Sequence, residues 1–163
     1  MADITYTYEA TERKANAGLV PGKGDGQTVK ALICATLELA ASASGTTVKL
    51  GSIPSNARLL PTGLIANDDL ATSGSPTLDI GLGSVDSSVT SDPDALNNGL
   101  VLSSATANTT VISEFSNAGK RAWEFISGQT SDPGGVLDVY VTVKDAATTA
   151  TGTLVAEIYG YFD

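Results

Sequence analysis

Three acids, Asp79, Asp138 and Glu157, stand inside β-like runs, and two carboxylates are the minimum equipment for glycoside hydrolysis. Each takes an outward position of an alternating strand, where a solvated acid is ordinary, so the pattern favours a wet surface over an active site. A second group, Asp86, Asp92 and Asp94 with the amide of Asn97, offers the oxygen ligands that Ca²⁺ takes. Its spacing departs from the D-x-D-x-D-G loop, and aspartate before proline or in a serine-rich turn commonly caps its own backbone. Turn chemistry is the favoured reading there, and a cation is the alternative. The chain has no histidine, which removes Ser-His-Asp and Cys-His catalysis, histidine metal sites and histidine pH switching. Cys34, the only cysteine, has no candidate base. Between Ile33 and Ala35 it reads as a small buried hydrophobe, slow to react with thiol reagents. Gly22-Lys23-Gly24-Asp25-Gly26 lacks the spacing and final Lys-Ser/Thr of a phosphate loop and reads as a hinge. Trp123, the only tryptophan, with Phe115 and Phe125 near it, supplies core anchors or subunit contacts, with a sugar-stacking platform as the alternative. No catalytic residue, cofactor or metal is expected.

The charges narrow the partners. Between Leu59 and Gly119 there is no lysine or arginine, while seven acids fall in that stretch. Nucleic acid and anionic lipid both need cations to replace their counterions, so neither is expected as a partner. A formal net charge of −9 on 163 residues favours solubility and discourages polyanion binding. No apolar run approaches the about 18 residues that span a bilayer. Met1–Tyr8 has neither a basic nor an apolar segment of the signal-peptide kind. A lone cysteine and no visible signal point to folding in a reducing compartment.

The elements that must carry these residues have a period of two. Val29–Leu39 alternates, with Val29, Ala31, Ile33, Ala35, Leu37 and Leu39 on one face. Thr47–Leu50 resumes the pattern. Arg58–Ala66 is a further strand that Pro61 demotes to an edge or bulge. Thr77–Leu82 points Leu78, Ile80 and Leu82 inward and Thr77 and Asp79 outward. Thr109–Glu114 is short and β-branched. Val136–Val143 gathers Leu137, Val139, Val141 and Val143, and Leu154–Phe162 follows with Ile158 and Phe162. Asn67-Asp68-Asp69, Ser73-Gly74-Ser75-Pro76, Asn97-Asn98-Gly99 and Asp132-Pro133-Gly134-Gly135 are turns between them. Asp92-Pro93 can cap and open one helical turn through Leu96, and Lys120–Ser127 is a short helix or a strand. The fold class is all-β, an antiparallel β-sandwich. Residues 28–163 form its single domain, and residues 1–27 form an N-terminal arm and hinge, the alternative being an edge strand plus a loop.

Four blocks carry a resemblance: Val48-Lys49-Leu50-Gly51-Ser52-Ile53-Pro54-Ser55-Asn56-Ala57-Arg58; Pro76-Thr77-Leu78-Asp79-Ile80-Gly81-Leu82; Trp123-Glu124; and Asp132-Pro133-Gly134-Gly135 leading to Val139 and Val141. Their order resembles small virion structural proteins of tailed bacteriophages, of the head-decoration or cement type, over roughly Val29 to Phe162. The resemblance implies a jelly roll in a capsid accessory role. It implies a non-enzymatic subunit that binds the outside of the phage head, contacts the major capsid protein and stabilises its lattice, as a homotrimer, after assembly in bacterial cytoplasm. The rival is a receptor- or glycan-binding domain of a tail or head appendage. Within the arm, Ile4, Tyr6 and Tyr8 alternate on one face and Arg13, Lys14 and Lys23 add cations. These six are the expected partner-binding residues, through strand addition.

Overall fold

Alternation becomes pairing in the computed structural model, which describes residues 29–84, 89, 91–113 and 115–162. The strands are β1 (Lys30–Leu39), β2 (Thr47–Pro54), β3 (Arg58–Leu60), β4 (Leu64–Asn67), β5 (Thr77–Ser84), β6 (Asp92–Val101), β7 (Thr106–Thr110), β8 (Val136–Lys144) and β9 (Gly152–Tyr161). One sheet has the order β1-β9-β4-β7, with β3 also on β9; the other has the order β2-β8-β5-β6. Every pairing among these strands is antiparallel. The all-β, antiparallel sandwich expected from the sequence is the observed architecture.

The two sheets face each other across one apolar layer. Leu59, Ile65, Leu154, Ala156 and Ile158 come from the first sheet, and Leu78, Ile80, Leu82, Leu137 and Val139 from the second; all are essentially inaccessible. Each fully buried aliphatic side chain contributes about 1.5–3 kcal/mol relative to exposure. The inward faces read from Thr77–Leu82 and Val136–Val143 are therefore the core faces. Pro61 interrupts the third run as expected, leaving β3 and β4 on either side of it.

Several local readings are corrected. Asp92-Pro93 opens no helical turn; it begins β6. This strand is one of the two outer strands of its sheet, where the missing proline N–H costs no ladder bond. The β-branched run starts and stops earlier than Thr109–Glu114, as β7 at Thr106–Thr110. Of the two readings of Lys120–Ser127 the short helix holds, as a 3₁₀ helix at Ala122–Phe125, and the segment lies along Ser55–Leu59 through backbone bonds such as Trp123 N–H to Ser55 O at 3.1 Å. Cys34 is exposed, not buried. It stands at an even position of β1, between the inward Ile33 and the half-buried Ala35, so the strand's own period turns its thiol outward. We expect a thiol reagent to label native Cys34 at the rate of an unstructured peptide thiol. Protection by tenfold or more, on the order of 1.4 kcal/mol of local opening, would place it inside. Residues 1–28, and with them the proposed arm, lie outside the described residues.

Candidate functional site

The three strand acids do not meet. Asp79 on β5 pairs with Thr142 of β8, and Asp138 of β8 pairs with Gly83. Four residues of strand therefore separate the two carboxylates, about 13 Å, beyond the 5–9.5 Å or so that glycosidases use. Glu157 lies on the other sheet, where Tyr159 Oη donates to its Oε2 at 2.7 Å. Asp79 is also not the solvated acid expected: it is 3% exposed. Its Oδ1 accepts the Gly99 N–H at 3.0 Å, and its Oδ2 lies 3.3 Å from Lys144 Nζ. Partners from β6 and β8 roof over an outward strand position, which alternation within β5 could not reveal.

The second acidic group also disperses. Asp92 Oδ2 accepts the Ser127 N–H at 2.7 Å, and Asp94 Oδ2 accepts from Asn98 Nδ2 at 2.7 Å. Buried Asn97 turns its amide to Thr110 O at 3.0 Å. Asp86 lies outside the described residues. Among the described residues no three acids or cysteines gather as metal ligands, and no helix is long and apolar enough to cross a membrane. Phe125 is buried, and Trp123 is half-buried and packs against the core, which gives both the role of core anchors. Phe115 opens the turn Phe115–Asn117. Ile4, Tyr6, Tyr8, Arg13, Lys14 and Lys23 lie outside the described residues.

A feature without any sequence signal lies on the outward face of the second sheet. It is a shallow cleft of about 480 Å³, lined by Thr47, Lys49, Gly83, Ser91, Asp138 and Tyr140. Its wall comes from a bulge. Between the pairs Ile80↔Asn97 and Leu82↔Asp92, two steps of β5 face five steps of β6. The surplus chain arches over β5, so a Cβ on Gly81 would lie 2.5 Å from Asp92 O, and one on Gly83 2.7 Å from Ser91 Oγ. Only glycine allows such an approach. Tyr140 fills part of the space these glycines leave. Its Oη donates to Leu82 O at 3.1 Å, and its Cε1 would lie 3.2 Å from a Gly83 Cβ, so the ring lies across the β5 backbone. Beside it, Lys49 Nζ is 2.6 Å from Asp138 Oδ1, and Ser52 Oγ donates to the same oxygen at 2.7 Å.

Burial alone would raise the Asp138 carboxyl, but the hydrogen bonds from Lys49 and Ser52 and the lysine's charge outweigh it and hold the group below the usual carboxylate range. Its contribution to stability is present above that range and is lost as pH falls through the lowered value. Burial pushes the Tyr140 phenol above its ordinary value near 10; a hydrogen bond with Ser91 opposes this, and the charges of Asp92 and Asp94 add to it. The stability tied to the neutral phenol is therefore complete below the ordinary tyrosine range and is lost as pH rises through the raised value. In an alkaline titration followed by tyrosinate absorbance, we expect Tyr140→Phe to remove a late-titrating component. Removal of an early component instead would contradict the burial assigned to this ring.

No family model matches the chain, and no curated protein matches it. Among solved structures, the chain is similar to a chain of the cyanophage Pam1 capsid asymmetric unit, at 23% identity and a TM-score of 0.48, over 91% of this chain and 96% of that one.

Proposed function

We propose that this chain is a non-enzymatic structural subunit of a phage virion: a capsid decoration or cement subunit on the outside of the head that stabilises the major capsid protein lattice. The observation that carries the reading is the strand order. With β3 and β4 counted as one strand interrupted at Pro61, eight strands divide into β1-β9-β4-β7 and β2-β8-β5-β6. That order supports reading the sandwich as a jelly roll, an architecture used by viral capsid and lectin domains. The resemblance of the blocks at Val48–Arg58, Pro76–Leu82, Trp123-Glu124 and Asp132–Gly135 points the same way. The dispersal of Asp79, Asp138 and Glu157 supports a role in contact rather than in hydrolysis.

In this reading the subunit acts by adding buried area and strand pairing across seams between capsid proteins. A homotrimer at three-fold positions closes its own contacts and avoids open chains of subunits. The arm carries the docking: Ile4, Tyr6 and Tyr8 share one face of an added strand, and Arg13, Lys14 and Lys23 supply charge that the acidic middle of the chain lacks. Synthesis in the bacterial cytoplasm precedes assembly on the virion exterior.

The test is binding to heads assembled without this chain. The full chain should saturate a fixed number of lattice positions and raise the melting temperature of the head. A chain lacking residues 1–27 should melt as a folded sandwich yet bind at least about tenfold more weakly, a loss of roughly 1.4 kcal/mol. Heads that take up no full-length chain would sink the decoration reading. Undiminished binding by the shortened chain would move the docking surface from the arm to the sandwich.

A further inference from the structure

We propose that the cleft on the outward face of the second sheet binds the pyranose ring of a neutral glycan. The inference is independent of attachment to a head, because it rests on the cleft alone.

Three strands and the segment before β6 each bring a different group to one place. Tyr140 of β8 pairs in register with Lys49 of β2 on one side and Gly81 of β5 on the other. Across β5 the position beside the ring thus carries no side chain, and the next outward position, Gly83, carries none either. The ring rests on bare backbone, held by its bond to Leu82 O. An aromatic ring covering cross-strand glycines stabilises a sheet by itself, but it also presents a flat π-face. The C–H groups on one side of a pyranose carry partial positive charge and suit the negative face of such a ring.

Two charged side chains beside the ring can meet a sugar's hydroxyls. Asp138 takes both Lys49 and Ser52 on Oδ1, and its Oδ2 has no hydrogen bond among the described residues. That oxygen can accept from a ligand hydroxyl. Lys49 Nζ is about half exposed and has donors beyond the one given to Asp138. Thr47 and Ser91 also line the cleft, their hydroxyls shared with Thr142 and Tyr140. The volume is within the roughly 300–1,000 Å³ of ligand sites. The charges of Lys49 and Asp138 cancel, and Asp92 and Asp94 act on Tyr140 from the wall. The surroundings are therefore neutral to acidic, which disfavours sulfated or uronic acid sugars.

The test uses the full chain on an array of immobilised neutral, sulfated and uronic acid oligosaccharides, followed by an NMR titration with the methyl glycoside of the strongest neutral ligand. We expect binding to a neutral glycan, with amide shifts at Thr47, Lys49, Gly83 and Tyr140. Tyr140→Ala should weaken it by about tenfold. Because Tyr140→Ala uncovers Gly81 and Gly83 and can cost the fold, the paired change Lys49→Gln with Asp138→Asn provides the second arm. It keeps the ring and leaves no charge unpaired, so the variant should stay folded, less stable only by the small contribution of an exposed pair, while affinity falls by about threefold or more. The assignment is overturned by an array with no neutral binder, by binding confined to anionic glycans, by shifts elsewhere on the molecule, or by equal affinity in the folded variants.

Discussion

Valine at position 81 should lower the melting temperature of the sandwich by about 6–12 °C, from a loss of about 3 kcal/mol. The cause is contact with backbone, which cannot rotate away. A Cβ on Gly81 would lie 2.5 Å from Asp92 O and 2.6 Å from Pro93 Cα. To admit it, the bulge of β6 must lift off β5, taking the Ser127-to-Asp92 bond with it. Gly99 is the control. It has φ +81° and open space around its missing Cβ, so Gly99→Ala should cost about 1–2 kcal/mol through backbone strain only. If Gly81→Val costs no more than Gly99→Ala, β6 does not cross β5 as closely as described.

Loss of the Asp79 carboxylate should cost about 2–3 kcal/mol, read by urea denaturation. Asp79→Ala leaves the Gly99 N–H without its acceptor and releases Lys144. The reverse change, Lys144→Met, keeps the buried carboxylate bonded to Gly99 but removes its cation. Lys144 is about half exposed, and solvent screening reduces the cost of its loss to about 1–2 kcal/mol. Asp79→Ala with Lys144→Met removes both charges, so the pair should cost less than the sum of the two losses. Additive losses would show that Asp79 and Lys144 do not interact.

The core of this molecule was legible because it repeats along single strands. Leu78, Ile80 and Leu82, or Leu137, Val139, Val141 and Val143, declare their face within a few residues, and the sheets bury them accordingly. Pro61 likewise marked its own break. The readings that changed depend on neighbours distant in sequence. Pro93 suggested a helix start because the position of β6 at the outside of a sheet is a property of the whole topology. Asp79 reads as wet along β5 alone, because the partners that enclose it, Gly99 and Lys144, belong to other strands. Cys34 is different: the alternation already placed it outward, and its apolar neighbours outweighed that signal. The cleft had no signal at all, since Gly81 and Gly83 become a floor only when Tyr140 and Ser91 come to rest over them. Asp92 and Asp94 offer oxygen ligands without the spacing of a Ca²⁺ loop, and each accepts from a protein donor, Asp92 from the distant Ser127 N–H and Asp94 from the nearby Asn98 amide.

One strand sets the timing of folding during synthesis. β9 pairs with β1, β3 and β4, so it is the hub of its sheet, and it comes after all of them in the chain. While residues 152–161 are still inside the ribosome, β1, β3 and β4 lack the strand that joins them. The sheet of β2, β8, β5 and β6 has all its members earlier and can close first, with its apolar side waiting. Closing β1 onto β9 joins the distant partners Cys34 and Glu157, a step slowed by the entropy of the long intervening loop. A nascent chain stalled before Gly152 would thus expose unpaired strand edges over a half-covered core, the state in which strand proteins aggregate or recruit chaperones.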